Sequence, residues 1–304
     1  MPSVPIITLD SGPLPPITIA LMAGVGVLYA RRAHTLALDG RPVPRSRQAC
    51  FYGGLVTILL AYISPIGALS DQLLAVHMAE HLLMGDIGAL LIVLGLTGPL
   101  IAPVLRIGVF NRLRALAHPA IALPLWLIDL YVWHIPVLYQ ATLRHPGLHA
   151  LEHTMFIALG INMWMCLFGP LPMPSWFGNA ARLVYIIAVR LGGMVLGNIL
   201  TWSGTVFYPA YRPGEAAWHV SSLGDQIDAG AVMMVECSLL TIALLGWLFL
   251  RAARESEERQ ALLDYASLHG IGLTDERAGR AVAAGRGAQL RSRLEGEVEA
   301  RERA

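Results

Sequence analysis

Leu73-Leu74-Ala75-Val76-His77-Met78-Ala79-Glu80-His81-Leu82-Leu83-Met84-Gly85-Asp86-Ile87-Gly88-Ala89-Leu90-Leu91-Ile92-Val93-Leu94-Gly95-Leu96 decides the fold class. The run is long enough to cross a bilayer core of about 30 Å, which takes roughly 20 apolar residues in a helix. It nevertheless carries two histidines and a glutamate near its start. On a helix, positions i and i+4 share a face and i+3 lies beside them, so His77, Glu80 and His81 form one polar group. The same spacing recurs in His149-Ala150-Leu151-Glu152-His153, at the start of another apolar run. Ionisable groups inside membrane segments are costly and mark function by default.

Apolar runs fall near 14–30, 51–69, 73–96, 119–139, 149–168, 181–203 and 227–250. The 304-residue chain is 55% hydrophobic and 14% charged, which places it among polytopic membrane proteins. We therefore expect an all-α bundle of seven transmembrane helices over residues 1–250, followed by a charge-mixed tail, 251–304. The basic residues, all arginine, set the orientation, because cytoplasmic loops retain positive charge. Arg31, Arg32, Arg41, Arg45 and Arg47 follow the first run. Arg106, Arg112 and Arg114 follow the third, Arg182 lies between the fifth and sixth, and Arg251 and Arg254 follow the seventh. The alternate loops hold only Arg144 and Arg212. The expectation is an outer N-terminus and a cytoplasmic C-terminus in a bacterial cell membrane. Met1-Pro2-Ser3-Val4-Pro5 lacks a basic n-region, which argues against a cleaved signal peptide.

Several classes drop out on composition. A net charge of +1 without a basic stripe gives no purchase on nucleic acid. Cys50, Cys166 and Cys237 are scattered, with no C-x-x-C, and read as packing residues rather than as a thiolate metal site. Within the tail, Arg254/Glu258 and Glu255/Arg259 predict a short helix over 255–268 stopped by Gly270, and the remainder reads as solvated and disordered.

With that orientation the chemistry gathers on the outer side. His77 and His81 lie in the third run, His134 ends the fourth within Trp133-His134-Ile135-Pro136, His149 and His153 open the fifth, and Asp225 and Asp228 open the seventh. Neutral imidazole is the commonest protein metal ligand, and a carboxylate often orients its second nitrogen. Glu80 and Glu152 can serve either as ligands or in that orienting role. The expected metal residues are His77, His81, His134, His149, His153, Glu80, Glu152 and Asp225, and binding should weaken on acidification because ligation needs neutral rings. Deeper in the runs, Asp86, Asp129, Arg190 and Glu236 must pair or reach internal water. Arg190 with Glu236 or Asp129 is the expected neutralising pair. Met84, Met155, Met163, Met165, Met194, Met233 and Met234 offer thioethers, which suit Cu(I), though such residues commonly fill gaps in packing.

The ordered set His77-Met78-Ala79-Glu80-His81-Leu82-Leu83, Trp133-His134-Ile135-Pro136-Val137-Leu138-Tyr139, and His149-Ala150-Leu151-Glu152-His153 with Phe156 resembles the polytopic caa3-type cytochrome c oxidase assembly factors, the CtaG family of the Bacillus type. Leu200-Thr201-Trp202-Ser203, Tyr208-Pro209-Ala210-Tyr211 and Leu223-Gly224-Asp225-Gln226 extend the resemblance, which covers roughly 70–240. It implies a multi-pass, non-enzymatic protein that matures a haem-copper oxidase by handling copper on the outer side, with oxidase subunits as partners and membrane lipid around it. The positions carried over are His77, His81, His134, His149, His153, Asp225 and Gln226. Glu80, Asp86, Asp228 and Glu236 depart from the pattern.

Other readings remain open at this level. Imidazole and carboxylate also suit zinc, and H-x-x-E-H occurs in zinc proteases, although two copies exceed what one catalytic zinc needs. Paired histidines on adjacent helices can ligate haem b for electron transfer. Intramembrane charges also occur in metal-ion transporters.

Overall fold

The computed structural model describes residues 14–302, so the leader Met1-Pro2-Ser3-Val4-Pro5 lies outside the described residues. The described chain is helical, with no strand. In order come α1 (Leu14–Leu38), α2 (Arg45–Ile63), α3 (Pro65–Ser70), α4 (Leu74–His81), a π-helical segment (Leu82–Gly88) and α5 (Ala89–Gly95). There follow α6 (Gly98–Leu105), α7 (Gly108–Leu113), α8 (Pro119–Trp133), α9 (Pro136–Thr142), α10 (Pro146–Phe168) and α11 (Asn179–Trp202). The last are α12 (Arg212–Ala217), α13 (Ser222–Leu268), α14 (Asp275–Ala283) and α15 (Gly287–Glu302).

Four stretches among the described residues are long and apolar enough to cross a membrane: Leu74–Gly95, Pro146–Phe168, Asn179–Trp202 and Ser222–Leu268. A fifth arises if α8 and α9, bent by 77° at their junction, form one broken span. The bend has a local cause: Ile135 precedes Pro136, and a residue before proline is pushed out of the helical region, here to ψ 123°. The predicted run 51–69 is likewise interrupted, at Ser64-Pro65, where the Ser64 hydroxyl accepts from the Ile66 amide and starts α3. Apolar side chains remain exposed along the long helices, among them Leu21, Leu28, Val184, Ile242 and Phe249. A water-soluble surface rarely carries so many; a lipid-facing one does.

Two compact units form. Among the described residues the first comprises 14–174 and 187–239, and the second 175–186 and 240–302. Inside the first, the span α4–π–α5 is the hub, with α2 and α10 packed along it. Glycine makes this approach possible. A Cβ on Gly54 would lie 2.7 Å from the Gly88 carbonyl oxygen, and one on Gly160 would collide with the carbonyl oxygen of Gly85. Small residues at such crossings let helix backbones come together where lipid gives no hydrophobic drive for association.

In the second unit the tail, expected to be partly helical or disordered, is helical over most of its described length. No separate helix begins at Glu255, because α13 runs through to Leu268 and ends before Gly270, which takes φ +59°. Beyond it, α14 and α15 gather Ala278, Val282, Leu290 and Leu294 around Leu262. The sparse apolar residues fall at helical spacing and meet, while Arg251–Glu255 and Arg291–Glu295 pair along their helices. Composition counts these residues but does not register their spacing.

Candidate metal centre

The centre lies at the end of the first unit where α4 and α10 begin. Asp225, in the first turn of α13, turns its carboxylate onto the start of α4: Oδ2 accepts from the Leu74 amide at 2.7 Å and Oδ1 from the Ala75 amide at 3.1 Å. The first amides of a helix have no partner within it, so Asp225 caps α4 from 151 residues away. Its neighbour Gln226 accepts from the Phe207 amide and donates to Leu200 O, Ser203 Oγ and Thr205 O. This fixes the loop that carries Tyr208 and Tyr211. Residues 212–222 close the region: the Ser222 hydroxyl donates to Glu215, whose burial raises its carboxyl pKa, and the Trp218 ring N–H donates to Gln72 Oε1 at 2.8 Å.

With α4 held at its start, His77 and His81 lie one above the other, their Nε2 atoms 2.9 Å apart. The corresponding pair on α10 faces them. The His77 and His149 rings stack at 5.3 Å, His149 and His153 are 4.1 Å apart, and His81 and His153 meet edge-on at 5.1 Å between ring centres. Glu152 joins them. One ligand atom from each of His77, His81, His149, Glu152 and His153 lies within 4.8 Å of all the others. Nitrogens sharing a single ion at about 2.0–2.1 Å each are roughly 3–4 Å apart, so small side-chain adjustments bring the set onto one ion.

The other expected ligands lie elsewhere. Glu80 is buried but outside the group, Asp225 is engaged at the helix start, and His134 turns to a different partner. Asp228 is exposed.

The donor set is tested by its unmet hydrogen bonds. His81 Nδ1, His149 Nε2, His153 Nε2 and both carboxylate oxygens of Glu152 are buried without a hydrogen-bond partner. A buried unpaired polar atom costs about 1–3 kcal/mol, and native proteins keep few of them without a functional reason. Five on facing side chains are what a bound cation would satisfy.

Around them sits a support that sequence reading did not assign. The Tyr211 hydroxyl lies 2.9 Å from His77 Nδ1, the Ser70 carbonyl oxygen lies 3.3 Å from the same nitrogen, and the Tyr139 hydroxyl is 3.0 Å from that of Tyr211. The Ser70 carbonyl can only accept, so it favours the tautomer with the proton on Nδ1 and leaves the Nε2 lone pair turned toward His81 Nε2. Tyr139 and Tyr211 stood within motifs already singled out. Their link to His77 depends on a loop 134 residues away, which no local spacing reveals.

Further along the span, Asp86 lies in the π-helical segment. Its carboxylate forms a two-pronged ion pair with Arg190, at 2.7 Å and 3.0 Å, and Glu236 approaches the same guanidinium at 3.5 Å. Trp164 donates to the Asp86 carbonyl oxygen at 3.0 Å and lies against Arg190. The expected partner Glu236 is thus present, Asp86 is the closer one, and Asp129 instead accepts from the Trp133 ring N–H at 2.8 Å.

Fold and site together define a helical membrane protein with a largely buried group of four histidines and a glutamate. A profile of the family described as cytochrome c oxidase caa3 assembly factor (Caa3_CtaG) matches residues 26–255, and the chain belongs to that family. Similar curated proteins include "Uncharacterized protein Mb0105" of Mycobacterium bovis and "Uncharacterized protein MT0111" of Mycobacterium tuberculosis, each 25% identical over 276 residues, covering 81% of this chain and 42% of the relative. "Uncharacterized protein ML1998" of Mycobacterium leprae is 22% identical over 272 residues, covering 81% and 41%. The chain therefore spans less than half the length of these relatives. No solved structure matches it.

Proposed function

We propose that the protein takes up copper at the His77, His81, His149, Glu152 and His153 cluster and hands it to a subunit of a haem-copper cytochrome c oxidase, without catalysing a reaction of its own. The observation that carries this is the set of buried, unpartnered ligand atoms on α4 and α10. Imidazoles with one carboxylate suit copper in either oxidation state, and they exchange a metal more readily than a cage of thiolates. In this reading seven helices cross the bacterial cell membrane, with the N-terminus outside and the C-terminus in the cytoplasm, so that the cluster opens toward the side where the oxidase receives copper.

Two measurements test it. The purified protein should carry copper, and a deletion strain should show a diminished haem-copper oxidase spectrum that re-expression restores. A protein that binds zinc but not copper, in a strain with a normal oxidase, would overturn the reading. For the orientation, a single cysteine at position 144 should react with an impermeant thiol reagent from outside, and reporters fused after Arg47 and Arg251 should be active only in the cytoplasm. Labelling of position 144 from the cytoplasmic side alone would reverse the topology.

A further inference from the structure

The His134 side chain lies outside the cluster, yet its surroundings are as specific. Its Nδ1 is 2.7 Å from the carbonyl oxygen of Leu130, one turn earlier on α8. A carbonyl only accepts, so Nδ1 carries the proton. In the neutral ring Nε2 then bears a lone pair. That lone pair meets the thioether sulfur of Met78 at 3.3 Å, and a thioether has no proton to give. Two electron-pair donors thus face each other, on side chains 6% and 1% exposed. A water molecule is a poor partner for sulfur, and a proton on Nε2 would place an imidazolium in a buried site with no carboxylate bonded to it. A soft cation satisfies both atoms at once: imidazole nitrogen with thioether sulfur is a donor pair that selects Cu(I).

The placement is also built. The Tyr208 hydroxyl donates to the His134 carbonyl oxygen at 2.8 Å, holding the residue at the bend between α8 and α9. The Tyr139 and Phe156 rings lie near both this pair and the histidine cluster. The Tyr139 ring is 5.2 Å from His77 and 6.0 Å from His134, and the Phe156 ring is 4.7 Å from His81 and 6.3 Å from His134.

We infer that Met78 and His134 form a second, soft-ligand station for Cu(I), beside the histidine and glutamate cluster but made of different donor atoms, with the Tyr139 and Phe156 rings close to both. This rests on the copper-handling reading of the protein. It divides the work by ligand type: the sulfur-containing station holds the reduced ion, and the nitrogen and oxygen cluster accepts either oxidation state. Because Met78 directly follows His77 on α4, one helix carries a ligand for each station.

X-ray absorption at the copper edge of the full-length protein in detergent, loaded with Cu(I) under reducing conditions, tests the station. The expected spectrum contains a copper–sulfur shell beside the copper–nitrogen shell. Met78→Leu keeps nearly the same volume and apolarity, so the fold is retained, and the sulfur shell should disappear while the nitrogen shell remains. His149→Leu with His153→Leu should weaken the nitrogen shell and keep the sulfur shell, together with the copper–nitrogen contact that His134 supplies. Copper bound through nitrogen and oxygen alone, or a sulfur shell that survives Met78→Leu, would overturn the station and leave the copper-handling function standing. Failure of the wild-type protein to bind copper at all would overturn that function, and the station with it.

Discussion

Replacing Arg190 with leucine is expected to strip the protein from the membrane fraction. The guanidinium is 3% exposed and is paired with Asp86 at 2.7 Å and Glu236 at 3.5 Å. Breaking a buried ion pair from one side leaves its partner uncompensated and costs about 3–5 kcal/mol, and here two carboxylates lose the same counter-charge. Whole-protein stability is commonly only about 5–15 kcal/mol, so most of the margin goes. Thermal unfolding in detergent should show the loss directly. The combined replacement of Arg190, Asp86 and Glu236 by leucine should recover much of it, because removing a whole buried ionic group is far less damaging than removing half. Wild-type stability in the single Arg190→Leu variant would show that these charges are instead met by water.

That network marks the limit of what sequence revealed. The long apolar runs, the two His-x-x-Glu-His copies and the need to neutralise Arg190 all follow from local rules, namely helical periodicity and the cost of charge in lipid. Each concerns residues within a few turns of one another. Asp86 escaped as the principal partner because it is 104 positions from Arg190, and only the packing of the π-helical segment against Trp164 brings them together. Asp225 illustrates the same gap. Its place near an apolar run suggested a ligand, whereas a contact 151 residues long makes it the cap of α4. The breaks at Ser64-Pro65 and Ile135-Pro136 were legible in principle, since each is a residue before proline, but hydropathy averages over them. His134 was grouped with the other histidines by depth and by the resemblance. Depth along a span does not fix direction around it, and the bend after Trp133 turns this ring toward Met78.

Replacing both His149 and His153 with leucine should abolish copper binding at the cluster and the maturation of the oxidase that depends on it, while leaving the metal-free protein as stable as before or more so. This pair, rather than His77 and His81, isolates the site. His77 and His81 contact each other, and His77 also meets Tyr211 and Ser70, so removing them disturbs a hydrogen-bonded network. His149 and His153 each present an Nε2 with no partner. Leucine is close in size, removes those two atoms and relieves about 1–3 kcal/mol for each buried unsatisfied group. A structural histidine gives the opposite sign, since its loss destabilises the fold. Residues kept for ligation characteristically trade stability for function in this way. In the wild type, copper affinity should also fall as the medium is acidified, because protons and the metal compete for the same imidazole nitrogens, and the double variant should show no such dependence at this site. Thermal unfolding of the metal-free forms, copper titration against a competing chelator and the oxidase spectrum in complemented cells measure the three effects. A double variant that unfolds at markedly lower temperature yet still binds copper at the cluster and supports the oxidase would identify these histidines as packing residues.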